Sequence, residues 1–100
     1  MALGKLFKSL LGGAAASAQP QPTEAVDYMG FAIEAAPIYE DGKYRSAGFI
    51  SGELDGETRR IQFIRADQNG DLQAAIDHSL VKARQIIDEQ GKQLLRKTHL

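Results

Sequence analysis

The sequence predicts an α+β fold. A three-stranded antiparallel meander is followed by one long C-terminal helix packed on one face, with a short N-terminal amphipathic helix on a flexible linker. Three observations lead there. Residues 28–66 run in stretches of alternating apolar and polar side chains, the period of a half-buried strand. Two Asp-Gly pairs, Asp41-Gly42 and Asp55-Gly56, divide those stretches, and that dipeptide is a strong two-residue hairpin signal. From Asp71 to about Leu95 the period changes. Leu72, Ile76, Leu80, Ala83, Ile87 and Leu94 recur at helical steps and so share one face.

The totals narrow the class. A chain of 100 residues holds one domain. Its parts are an amphipathic segment (1–12), a linker (13–25) and a βββα domain (26–97). There is no cysteine, hence no disulfide framework, thiolate nucleophile or cysteine metal site. Basic and acidic side chains number 12 and 13, for a net charge of −1, without the basic excess usual in a nucleic-acid-binding domain. No apolar run approaches the roughly 20 residues that span a bilayer.

At the N-terminus, Leu3, Leu6, Phe7, Leu10 and Leu11 fall on one helical face, with Lys5 and Lys8 off it, and Gly12-Gly13 ends the pattern. Such a stripe suits a membrane surface or a partner, which makes Leu3, Leu6, Phe7 and Leu10 candidate membrane-surface contacts. The alternatives are a weakly docked tail and a signal peptide cleaved near Ala16-Ser17-Ala18. The segment that follows is rich in small residues and carries Pro20 and Pro22, the composition of a flexible linker.

The strands are expected over 28–38, 43–54 and 57–66. Two tight turns set the register: Glu40 faces Lys43, and Leu54 faces Glu57. Counting back gives a row of Ile33, Ile50 and Ile61, then one of Ala35, Gly48 and Phe63. One apolar face results, made of Phe31, Ile33, Ala35, Tyr44, Ile50, Ile61 and Phe63, and it is expected beneath the helix. Gly48 leaves room beside Phe63, and Pro37 marks the first strand as an edge strand. The opposite face reads Ala36, Ala47 and Ile64, then Glu34, Phe49 and Gln62, then Ala32, Ser51 and Arg60, with Ile38, Arg45 and Ala66 at its end. Apolar groups among charges mark a contact surface for a protein partner or a second copy. Its candidate contacts are Arg45, Phe49, Arg60 and Ile64.

Asp71 is placed to cap the helix N-terminus. The run Asp67-Gln68-Asn69-Gly70-Asp71 fails as a calcium loop, with glycine fourth instead of sixth and His78 in place of the twelfth-position glutamate. His78 and His99 have no ligand spacing, and Asp88 and Glu89 point to different sides of the helix. No phosphate-cradling glycine loop is present. Catalytic residues, a metal site, cofactors and a small-molecule substrate are therefore not expected, and the chain reads as a non-enzyme. Arg45, Arg59, Arg60 and Arg65 could line a basic strip for DNA, which is the alternative partner. The helix opens on acidic Asp71 and Asp77 instead of the basic cluster of a double-stranded RNA-binding domain.

The core pieces also resemble a known family. They are Tyr28-Met29-Gly30-Phe31-Ala32-Ile33, Gly42-Lys43-Tyr44-Arg45-Ser46-Ala47-Gly48-Phe49-Ile50, Phe63-Ile64-Arg65-Ala66-Asp67 and Ile86-Ile87-Asp88-Glu89-Gln90-Gly91. Together they resemble the small bacterial HlyU family, named for a transcriptional activator of haemolysin genes, over about residues 26–95. The resemblance implies transcriptional regulation in the bacterial cytoplasm. It assigns no site residues. Arg45 and Arg65, with Asp67, are the shared residues that packing does not explain, and an Arg65–Asp67 or Arg45–Asp67 ion pair at the strand-to-helix corner is the simplest account of them.

Overall fold

The computed structural model describes residues 19–98 and 100. The predicted N-terminal helix lies outside them. Five strands form one antiparallel sheet: β1 (Val26–Tyr28), β2 (Phe31–Ala35), β3 (Ile38–Glu40), β4 (Lys43–Leu54) and β5 (Glu57–Asn69). Helix α1 (Leu72–Gln90) follows, then a 3-10 helix over Gly91–Arg96.

The sheet has five strands instead of three for two reasons. The predicted first strand is broken at Ala36-Pro37, so β2 and β3 lie end to end along the same edge of β4. A short hairpin precedes it: β1 pairs with β2 through Met29-Gly30, both with positive φ. Asp41-Gly42 and Asp55-Gly56 turn the same way. Positive φ at both central residues twists the turn to match right-handed strands. Met29 occupies a place where Asn or Asp is usual, which concealed this hairpin in the sequence.

The predicted register holds over most of the sheet. Glu40 faces Lys43, Leu54 faces Glu57, and Ile33, Ile50 and Ile61 form one row, with Ala35, Gly48 and Phe63 in the next. It fails at one place. A bulge between Arg45 and Ala47 slips β5, so Arg45 pairs with Gln68 and not with Ala66. β5 therefore runs on to Asn69, through residues expected to form the connecting loop.

The helix lies across the predicted face, where Phe31, Ile33, Ile50, Ile61 and Phe63 are buried. Its contact line is displaced from the Leu72–Ile76–Leu80 stripe. The buried residues are Ala75, Ser79, Ala83, Ile86 and Ile87, while Leu72, Ile76 and Leu80 are half-buried. Small side chains at 75, 79 and 83 let the helix backbone sit low over the bulge. There the Ala47 amide donates to Ser79 Oγ at 3.1 Å, and Ser79 donates to the Ala75 carbonyl at 2.7 Å. Asp71 caps the helix by accepting from the Ala74 amide at 2.9 Å. At Gly91 (φ 56°) the helix gives way to the 3-10 turn that buries Leu94 and Leu95.

Both sheet edges are fastened by other parts of the chain. Along β2 and β3, the Thr23 amide donates to the Ala35 carbonyl at 2.8 Å, and the Ala35 amide donates to Thr23 Oγ1 at 3.0 Å. The Gln19 side-chain amide bonds both polar groups of the Tyr39 backbone. Pro20 and Pro22 stand in this segment, and a residue without an N–H suits an outer edge. On β5, the Leu100 amide donates to the Gln62 carbonyl at 2.8 Å and its carbonyl accepts from Ile64 at 3.1 Å.

Gly48 is where the packing is tightest. A Cβ there would collide with the Glu34 carbonyl oxygen and stand 2.9 Å from the Phe63 ring. Overpacking of this kind costs about 1–3 kcal/mol. Gly48→Ala should lower stability by that amount in urea unfolding; an unchanged midpoint would show that the strand has slack there.

Candidate functional site

The sheet face opposite α1 carries the four predicted contacts. Strand alternation puts Arg45, Ala47, Phe49 and Ser51 of β4 on it, with Arg60, Gln62 and Ile64 of β5. Ala32 and Glu34 of β2 complete it. No described element lies over it.

Phe49 and Arg60 come into direct contact. The Arg60 guanidinium lies 3.7 Å from the centre of the Phe49 ring, and its Nη2 is 2.6 Å from Glu34 Oε1. Arg60 thus reaches diagonally across the central strand, over the ring, to an acid on β2. A cation over an exposed ring contributes about 0.5–1 kcal/mol, and an exposed ion pair about 0–1 kcal/mol. This lid shields the ring from water but is weak enough to be displaced. Ile64 stands beside it, 42% exposed. Arg45 lies further along and does not join the group: its Nε and Nη2 donate to Glu40 Oε1 at 3.0 and 2.8 Å.

The expected ion pairs at the strand-to-helix corner are replaced by others. Asp67 bonds Lys82 of the helix at 3.0 Å, with His78 Nε2 3.9 Å away, and Arg45 is taken by Glu40. The registers already contained the true partners. Glu40 faces Lys43, which puts Arg45 on its diagonal, and Glu34 faces Phe49, which puts Arg60 within reach; diagonal neighbours are accessible to long side chains. A second brace ties the first hairpin to the helix, where Tyr28 donates to Asp88 Oδ1 at 2.8 Å beneath Arg84. The hydrogen bond to Asp88 raises the Tyr28 phenol above its ordinary value.

Leu3, Leu6, Phe7 and Leu10 lie outside the described residues. Among the described residues, no group of three or more His, Cys, Asp or Glu side chains is placed to hold a metal ion, and no helix is long and apolar enough to cross a membrane.

A sheet face over which no described element lies, crossed by surface ion pairs, suits recognition more than chemistry. The chain belongs to the HlyU family, described as transcriptional activator HlyU, whose profile matches residues 5–95. That description is of a transcription regulator. Comparison with curated proteins and with solved structures finds no match.

The hydrogen bond from Lys82 is the largest influence and holds the Asp67 carboxyl below its ordinary value of 3.8; desolvation opposes it, and the weaker attractions of the Lys82, His78 and Arg65 charges add to the lowering. A depressed folded-state value stabilises above the unfolded value, and that contribution is lost as pH falls through the folded one. Asp67→Asn should therefore flatten part of the acid limb of the melting temperature against pH and leave the alkaline limb unaltered. An acid limb identical to wild type would remove Asp67 from the account.

Proposed function

We propose that this chain acts in the bacterial cytoplasm as a non-enzymatic transcription-regulatory module, working through a protein contact on its open sheet face. Arg45, Phe49, Arg60 and Ile64 are the contacts. The observation that carries the reading is the state of the two face arginines. Arg45 is held by Glu40 and Arg60 by Glu34, at 2.8 and 2.6 Å. Phosphate recognition needs cations free to replace counterions, and these two already have carboxylate partners. The same clamp leaves an apolar ring and Ile64 beside removable charges, the mixture found at protein interfaces. The family assignment supplies the regulatory context, and the chain's net charge of −1 also disfavours a general affinity for DNA.

Two measurements test this. In fluorescence anisotropy with a labelled random duplex, the full chain should show no salt-sensitive binding at low ionic strength. Strong binding that weakens with salt and disappears in the Arg45→Glu/Arg60→Glu variant would instead establish direct DNA contact. In cells deleted for the gene, Phe49→Asp should fail to restore the wild-type transcript profile while melting close to wild type. Full restoration by Phe49→Asp would show that the face is not the working surface.

A further inference from the structure

From the charges and side-chain sizes on the open face we infer that its partner is a second copy of this chain, set face to face about a two-fold axis that runs along β4. The inference rests on this face being the contact surface, as proposed above, and names what it contacts. The other sheet face is filled by α1 and the 3-10 turn, and no described element lies over this one. A two-fold dimer needs a patch that complements itself. The sheet fixes where the axis falls: β4 lies in the middle, with β2 and β1 on one flank and β5 on the other. Rotation about β4 brings the β5 flank of each copy over the β1–β2 flank of the other.

The two flanks are opposite in charge. Asp27, Ala32, Ser51 and Arg60 stand in one row across the face, and Glu34 lies two residues along from Ala32. The β1–β2 flank therefore presents two acids, while Arg60 is the one charge among Thr58, Arg60, Gln62 and Ile64 of β5. Within one chain Arg60 crosses the central strand to Glu34, 2.6 Å away, and lies over the Phe49 ring. Asp27 forms no ion pair among the described residues. In the dimer, Arg60 of one copy comes over Ala32 of the other. Asp27 is then one strand spacing to the side, about 5 Å, and Glu34 two residues along, about 7 Å. One cation gains two carboxylates, and its move uncovers its own Phe49 ring to meet the equivalent ring on the axis.

Side-chain size agrees with this placement. Ile64, 42% exposed, pairs with Ala47, and the Ala36 amide donates to the Ala47 carbonyl from the other side at 2.8 Å. Ala36, Ala47 and Ile64 thus form a row, and the same rotation sets Ile64 of each copy over Ala36 of the other, large against small. The residues that meet their own counterparts on the axis are neutral through the middle of the face: Ala47, Phe49 and Ser51. Charge on β4 is kept to the ends, with Arg45 held by Glu40 at 2.8 Å on one side and Glu53 on the other. Aligned sheets cross at about 30°, which draws the strand ends apart and separates these like charges.

The reciprocal contacts make a charge swap the test, read by sedimentation velocity of the full chain over a rising concentration series. Wild type should convert to a dimer. Arg60→Glu alone sets acid against acid, and Asp27→Arg/Glu34→Arg alone sets arginine against arginine, so each variant by itself should stay monomeric. Mixed, the two should recover a one-to-one heterodimer, because both Arg60 contacts then join opposite charges. In a wild-type sample mixed from isotope-labelled and unlabelled chains, Ile64 should show contacts to Ala36 of the other copy, a readout that needs no variant. A wild type monomeric at every concentration, dimers that persist in either variant alone, or a wild-type dimer without the Ile64–Ala36 contacts would overturn the inference. Such a failure leaves the regulatory reading standing with a different protein as the partner. Full complementation by Phe49→Asp would sink that reading without altering the sedimentation of wild type.

Discussion

Ala47 belongs to the central strand, yet its amide leaves the ladder and donates to the Ser79 hydroxyl of the helix above it. Both residues are fully buried. A buried amide without a partner costs about 1–3 kcal/mol, so the bulge at Arg45–Ala47 and the serine on the helix imply one another. The surrounding small residues follow from the same contact. Gly48 leaves space for Phe63, and Ala75 and Ala83 flank Ser79, so no bulky side chain holds the helix away. The helix is thereby set low at one end and packs on Ile86 and Ile87 at the other, where Leu94 and Leu95 close the core.

That arrangement decides which surface is left over. One face of the sheet is sealed by α1 and the 3-10 turn. The β2–β3 edge is fastened by Gln19 and Thr23, and the β5 edge by Leu100. Exposed edges invite pairing with other chains, and these edges are already occupied, which leaves the opposite face as the surface for the contact we propose. That face is mixed. The Glu34–Arg60–Phe49 clamp lowers its apolar exposure without locking it, since each contact contributes on the order of 1 kcal/mol or less at an exposed site. Contacts this weak can rearrange when the face is covered.

Much of this was legible in the sequence, for a physical reason. The two Asp-Gly turns permit few registers, and a one-residue slip would send every side chain to the wrong face. The rows through Ile50 and Gly48 therefore followed by counting, and the four candidate contacts could be placed on one face. What escaped was whatever depended on contacts between elements. The helix stripe read from Leu72, Ile76 and Leu80 is offset because close approach favoured Ala75, Ser79 and Ala83, residues that hydrophobicity ranks low. The bulge has no local signature, so Ala66 was put where Gln68 sits. Asp67 found Lys82 on the helix, a pairing set by how the helix crosses the sheet. Arg45 found the glutamate diagonal to it on β3, and Arg60 reached Glu34 on β2 across the central strand, relations that pairing only directly opposite residues does not give.

The central claim is that the Ala47 amide is sealed between sheet and helix by Ser79. Native-state hydrogen exchange tests it directly, because amides released only by global unfolding exchange at the limit set by overall stability. The account predicts that Ala47 is as protected as Ile50 and Phe63, although it lies in a bulge and on the row of the open face. Fast exchange at Ala47 while Ile50 and Phe63 remain protected would mean that water reaches the bulge, and that the helix is not held to the sheet in the way described.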